Sequence, residues 1–133
     1  MSNKTCGVDD FAAALSSMVE KLDRESRRAL DVAIPKAARQ ARKEWVKASA
    51  GWGTGRYSQS IHTHVEKGSI GDTRAEVGSK ELPGLPHLLE KGHQTIGGGF
   101  VSGRVHIANA AETAFKQAFK DVGEGIDKAI EGL

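Results

Sequence analysis

Five histidines and a few carboxylates are the residues best suited to hold a metal or move a proton. His62 and His64 are one residue apart, so on a strand both imidazoles leave the same face. With His87, Glu90, His93 and His106 gathered by folding, they would supply the donors of a zinc site. The spacing of the other histidines matches no metal motif, and a zinc site needs three convergent ligands held by partners of their own. We therefore read His62 and His64 as solvent-facing strand residues with charged cross-strand neighbours. The run from Gly97 to Gly103 lacks the Lys-Ser/Thr ending of a phosphate-binding loop and the spacing of a dinucleotide fingerprint, which leaves it as a turn. Cys6 lies in a terminal segment, residues 1–8, expected to be flexible, and no serine sits in a nucleophile elbow. The expectation is a protein without catalytic residues, cofactor or metal.

The 133 residues suit one domain with a single core, residues 1–133, and 38% hydrophobic against 27% charged residues describes a soluble globular chain. A net charge of +2 is too small to imply nucleic acid, a single cysteine allows no internal disulfide, and the N-terminus lacks the apolar stretch of a signal peptide. No apolar run reaches membrane-spanning length.

From Asp9 to about Ala50 the chain reads as helix, with Phe11, Leu15, Met18 and Leu22 on one face and Asp9 and Asp10 placed to cap it. Pro35 lacks a donor and crowds the preceding turn, so a kink or break is expected near Ile34. Ala38, Ala41, Trp45 and Ala48 share a face that allows close approach around one large anchor. Gly51, Gly53 and Gly55 end the helix. Alternation from Tyr57 to Val65 and from Asp72 to Val77 predicts an antiparallel hairpin, in whose simplest register His62 faces Glu76 and His64 faces Arg74. Residues 87–90 fit either a helical turn or a short strand, Gly97 to Gly99 a mobile loop, and Phe100 with Val101 the start of another strand. Asn109 and Glu112 form a capping box for a last helix, in which Ala111, Phe115, Phe119, Val122, Ile126 and Ile130 make an apolar stripe. We read that stripe as core, with an exposed docking face as the alternative. Gly123 and Gly125 should weaken the last turns.

Taken in order, Thr54-Gly55-Arg56-Tyr57 with Ser60-Ile61, Ala75-x-Val77-Gly78, His87-Leu88-Leu89-Glu90-Lys91-Gly92-His93, Gly103-Arg104-Val105-His106-Ile107, and Ala110 with Glu112 carry a likeness. The chain resembles the HK97 gp10-like family of bacteriophage tail-completion and head–tail joining proteins. It departs at Val105 and Asn109, where such proteins commonly carry proline. The resemblance implies an α+β fold: a long N-terminal helix, a small antiparallel sheet and a C-terminal helix packed on it. It further implies a non-enzymatic virion protein, made in the host cytoplasm, that forms a ring, expected to be a hexamer, at the neck–tail junction. Its partners would be copies of itself, the neck connector, and tail terminator or tail tube proteins, with DNA passing nearby and no membrane. Candidate contact residues are Trp52, Tyr57, Leu88, Leu89, Glu90, Phe100, Arg104 and His106.

The alternative is a small nucleic-acid-binding protein. Residues 21–47 hold nine Lys or Arg against four Asp or Glu, and Lys36, Arg39, Lys43 and Lys47 line up as a basic face. Glu44 and Asp31 interrupt it and no aromatics interleave, so a solvated helix face or an acidic protein neighbour explains it better.

Overall fold

A computed structural model describes residues 7–133. Its α+β fold runs α1 (Val8–Ser49), α2 (Arg56–Gln59), β1 (Ile61–Lys67), β2 (Thr73–Ser79), α3 (Leu85–Lys91), β3 (Gly92–Gln94), β4 (Phe100–Ser102) and α4 (Ile107–Glu131). The terminal segment expected to be flexible lies outside the described residues, apart from Gly7, the N-cap of α1, and Val8, its first residue.

Helix α1 spans 42 residues and is not broken at Pro35, which is buried inside it. A proline there frees the Asp31 carbonyl, but tertiary packing on both sides holds the helix together. The Asp31 carboxylate takes part in this: it accepts hydrogen bonds from Gly71 N–H at 3.0 Å and Thr73 Oγ1–H at 2.7 Å, tying the β1–β2 turn to the helix. Asp9 and Asp10 sit in the first turn, and neither caps through its side chain.

The expected hairpin forms with two corrections. The first strand starts at Ile61, because residues 56–59 make a helical turn that follows left-handed Gly55 and is secured by Ser58 and Ser60 hydroxyls donating to the Gly55 and Tyr57 carbonyls. The register is displaced by two residues, pairing His62 with Gly78, His64 with Glu76 and Glu66 with Arg74. A shift of two preserves the side-chain faces, so the histidines remain outward.

The C-terminal helix lies antiparallel along α1, with the sheet against a different strip of the same helix. Lys21 Nζ donates to the Gly132 carbonyl at 2.8 Å, Gly125 meets Ala29, and Lys36 pairs with Asp121 at 3.1 Å. A Cβ on Gly125 would come within 2.7 Å of the Ala29 Cβ, so this glycine permits close helix approach. α4 thus packs chiefly along α1, while its start, at Ile107 and Ala110, shares a core with Ile61 and Val77 of the sheet. The core gathers Trp45, Tyr57, Ile61 and Ala110, ringed by Trp52, Val77, Leu85, Leu89 and Ile107.

Candidate assembly interface

The surface of interest is built on the start of α4. The expected capping box is absent: α4 begins at Ile107, which leaves Asn109 in its first turn and Glu112 paired with Lys116. Glu90, from the end of α3, takes over the capping. Its Oε1 accepts from His106 N–H at 2.7 Å and Ile107 N–H at 2.9 Å, and its Oε2 accepts from Ala108 N–H at 3.0 Å. One carboxylate thus satisfies three of the four free donors of a helix N-terminus and opposes its dipole. Burial acts to raise the Glu90 carboxyl, but the three backbone donors and nearby His106 outweigh it and hold the group below the usual carboxylate range.

Behind this cap runs a buried polar chain. Trp45 Nε1–H donates to Tyr57 Oη at 2.9 Å, and Tyr57 Oη lies 2.7 Å from His106 Nε2. His106 Nδ1 faces two acceptors, the Arg104 carbonyl at 2.6 Å and Glu90 Oε1 at 2.9 Å, so Nδ1 carries a proton. Nε2 then accepts from the Tyr57 hydroxyl, and each polar atom has a partner. Burial pushes the Tyr57 phenol above its usual range despite the Trp45 hydrogen bond, and the Glu90 charge adds to the rise, so it remains a neutral donor. Trp52 stacks parallel to Tyr57 with ring centres 6.1 Å apart, and the Arg104 guanidinium sits 5.0 Å from the Trp52 ring centre.

This scaffold supports a cleft of about 500 Å³, with Trp52, Tyr57, Leu88, Leu89 and Arg104 in its lining beside Leu85 and Val101. Five of the eight candidate contact residues therefore converge. Glu90 and His106 lie behind the cleft and position it, and Phe100 stands 65% exposed on the β3–β4 tongue. The glycine loop at the tongue's tip is a turn, closed by Thr95 N–H to the Gly99 carbonyl at 2.8 Å and Gly99 N–H to Thr95 Oγ1 at 3.0 Å. Residues 85–91 are helical, which resolves the earlier ambiguity at 87–90.

Part of the α4 stripe expected as core is a second, exposed apolar surface. Phe115 and Phe119 are 61% and 77% exposed, while Ala110, Ala114 and Ala129 are the buried residues of α4. Alanines let α1 and α4 approach so closely that both phenylalanines stay outside, with Phe115 at the rim of a groove of about 320 Å³ between α1, α4 and β2. On the basic face, Lys36 is paired with Asp121, whereas Arg39, Lys43 and Lys47 are exposed with no acidic partner among the described residues. His62 and His64 are exposed, and no group of three or more potential metal ligands assembles among the described residues. No described helix is long and apolar enough to cross a membrane.

A small α+β protein with a braced cleft on one side and an apolar groove on another is the class these features define. Comparison with family models, curated proteins and solved structures finds no match to this chain.

Proposed function

We propose that this chain is a non-enzymatic structural subunit that assembles with copies of itself into a ring and serves in phage tail completion, joining the tail to the neck. The observation that carries the reading is the pair of unlike apolar surfaces: the Trp52–Leu88–Arg104 cleft with its Phe100 tongue, and the groove rimmed by Phe115. Subunits that meet head to tail in a ring need two different surfaces. The element order expected from the gp10-like resemblance supports the same reading, as does the use of Glu90, Tyr57 and His106 in bracing. In this assembly the tongue of one subunit seats in its neighbour, and the neck connector and tail proteins bind the ring's two ends.

The test is assembly. Purified protein, alone and mixed with its neighbouring tail proteins, should form rings visible by electron microscopy, and Phe100→Ser should abolish them while leaving the melting temperature unchanged. Monomers under all these conditions would refute the reading. A second reading, nucleic-acid binding, is favoured by the exposed Arg39, Lys43 and Lys47. It requires DNA affinity that falls steeply with salt and falls again when these three become Glu.

A further inference from the structure

The first third of α1 is an arm. Helix α4 ends beside Lys21, so residues 8–20, about 20 Å of helix, extend past it. Val8, Phe11, Leu15, Met18 and Leu22 follow the three-four spacing of a two-stranded coiled-coil seam. Phe11 is 62% exposed and Leu15 50%. The same seven-residue step leads from Val8 through Leu15 and Leu22 to Ala29, which Gly125 of α4 touches, and on to Lys36, which pairs with Asp121. The bare seam is thus the uncovered continuation of the face that α4 packs against.

We propose that a second copy of this chain covers the seam, its arm lying antiparallel on this one with the crossing near Leu15. Two observations choose the partner and its direction. First, α4 occupies the seam face beyond Lys21, so a parallel pair would drive two α4 helices into the same space. In the antiparallel pair each arm instead ends near the end of its partner's α4, next to the exposed Ile130 and Leu133. Second, the arm is charge-polarised. Its tip carries Asp9 and Asp10, and its base carries Glu20, Lys21 and Arg24, none with an ion-pair partner among the described residues, which leaves the base net positive because Arg27 and Arg28 are paired with Asp23 and Glu25. Antiparallel pairing brings acidic tip to basic base, and parallel pairing sets acid on acid. Two heptads make a short seam, so the dimer is a weak one, but the arm extends a helix already formed and needs no new nucleus. This inference does not rest on the neck reading, which uses the cleft and the groove.

Sedimentation of the full chain carrying Phe100→Ser, which removes the ring contact, should show a monomer–dimer equilibrium. Leu15→Glu places carboxylates at the crossing and should weaken it at least about a hundredfold, with no change in melting temperature because Leu15 lies outside the core. Asp9→Lys with Asp10→Lys should weaken the dimer without touching the apolar seam, and adding Lys21→Glu and Arg24→Glu should restore it. Direction is read from nitroxide distances in a Cys6→Ser background. With crossing near Leu15, labels at Arg28 stand about 40 Å apart when antiparallel, from about 26 residues of rise, and about one helix-pair width apart when parallel. A Phe100→Ser chain that stays monomeric at every concentration, an assembly state indifferent to Leu15→Glu, or a short Arg28 distance would overturn the proposal. Rings that survive Leu15→Glu would leave the neck reading standing and remove this one.

Discussion

Glu90 does at a distance what a capping side chain normally does within two or three residues. Its three backbone hydrogen bonds anchor the start of α4 to the end of α3, and through His106 they hold the aromatic cluster behind the cleft. Glu90→Ala should cost about 2 kcal/mol in denaturant unfolding, since it removes charge-assisted bonds and leaves buried donors unpaired. The pH dependence follows from the depressed carboxyl. Its stabilisation is complete above the unfolded pKa, about 4.3, and is lost as pH falls through that value and then through the lower folded one. Urea titrations between pH 7 and pH 3 should show the wild type losing stability through this window. Glu90→Gln should start lower at pH 7 and fall less steeply. Tyr57→Phe leaves Trp45 Nε1–H and His106 Nε2 without their partner and should cost about 1–3 kcal/mol, measured the same way.

At the scale of elements, the β1–β2 hairpin is fastened to α1 by its turn as well as by its inner face. Gly71 adopts φ +81°, donates to Asp31, and lies so close to α1 that a Cβ would come within 2.8 Å of Arg27 Cγ. Gly71→Ala should therefore destabilise the fold by about 1–2 kcal/mol through backbone strain, although Arg27 is exposed and can swing aside. Its effect should be reproduced in part by Asp31→Ala, and chemical denaturation of both single variants and the double would reveal the coupling. Gly125 illustrates the same geometry between helices: it costs helix propensity yet lets Ala29 approach, so Gly125→Leu should separate α4 from α1 and lower the melting temperature.

For the whole molecule, the distribution of apolar surface matters more than its total. Small residues fill the α1–α4 contact, and large ones such as Phe11, Phe115 and Phe119 remain outside. Phe115→Ser with Phe119→Ser should leave thermal stability within about 0.5 kcal/mol of wild type while reducing assembly, monitored by light scattering.

Much of this was readable along the chain. Helical spacing in α1 and α4, alternation in β1 and β2, and the glycine punctuation between them are local, so the order of helix, hairpin and helix and the outward histidines followed from residue order alone. The tertiary structure decided what depends on contacts distant in sequence. Periodicity marks an apolar face but not its partner, which is why alanine-mediated packing could turn a supposed phenylalanine core outward. A carboxylate seventeen residues away displaced the local capping box because it reaches more free donors. Pro35 stayed helical because packing on either side outweighs one missing hydrogen bond. The convergence of Trp52, Tyr57, Leu88, Leu89 and Arg104 on one cleft likewise required the α1–α2 loop, α2, α3 and the β4–α4 loop to be brought together.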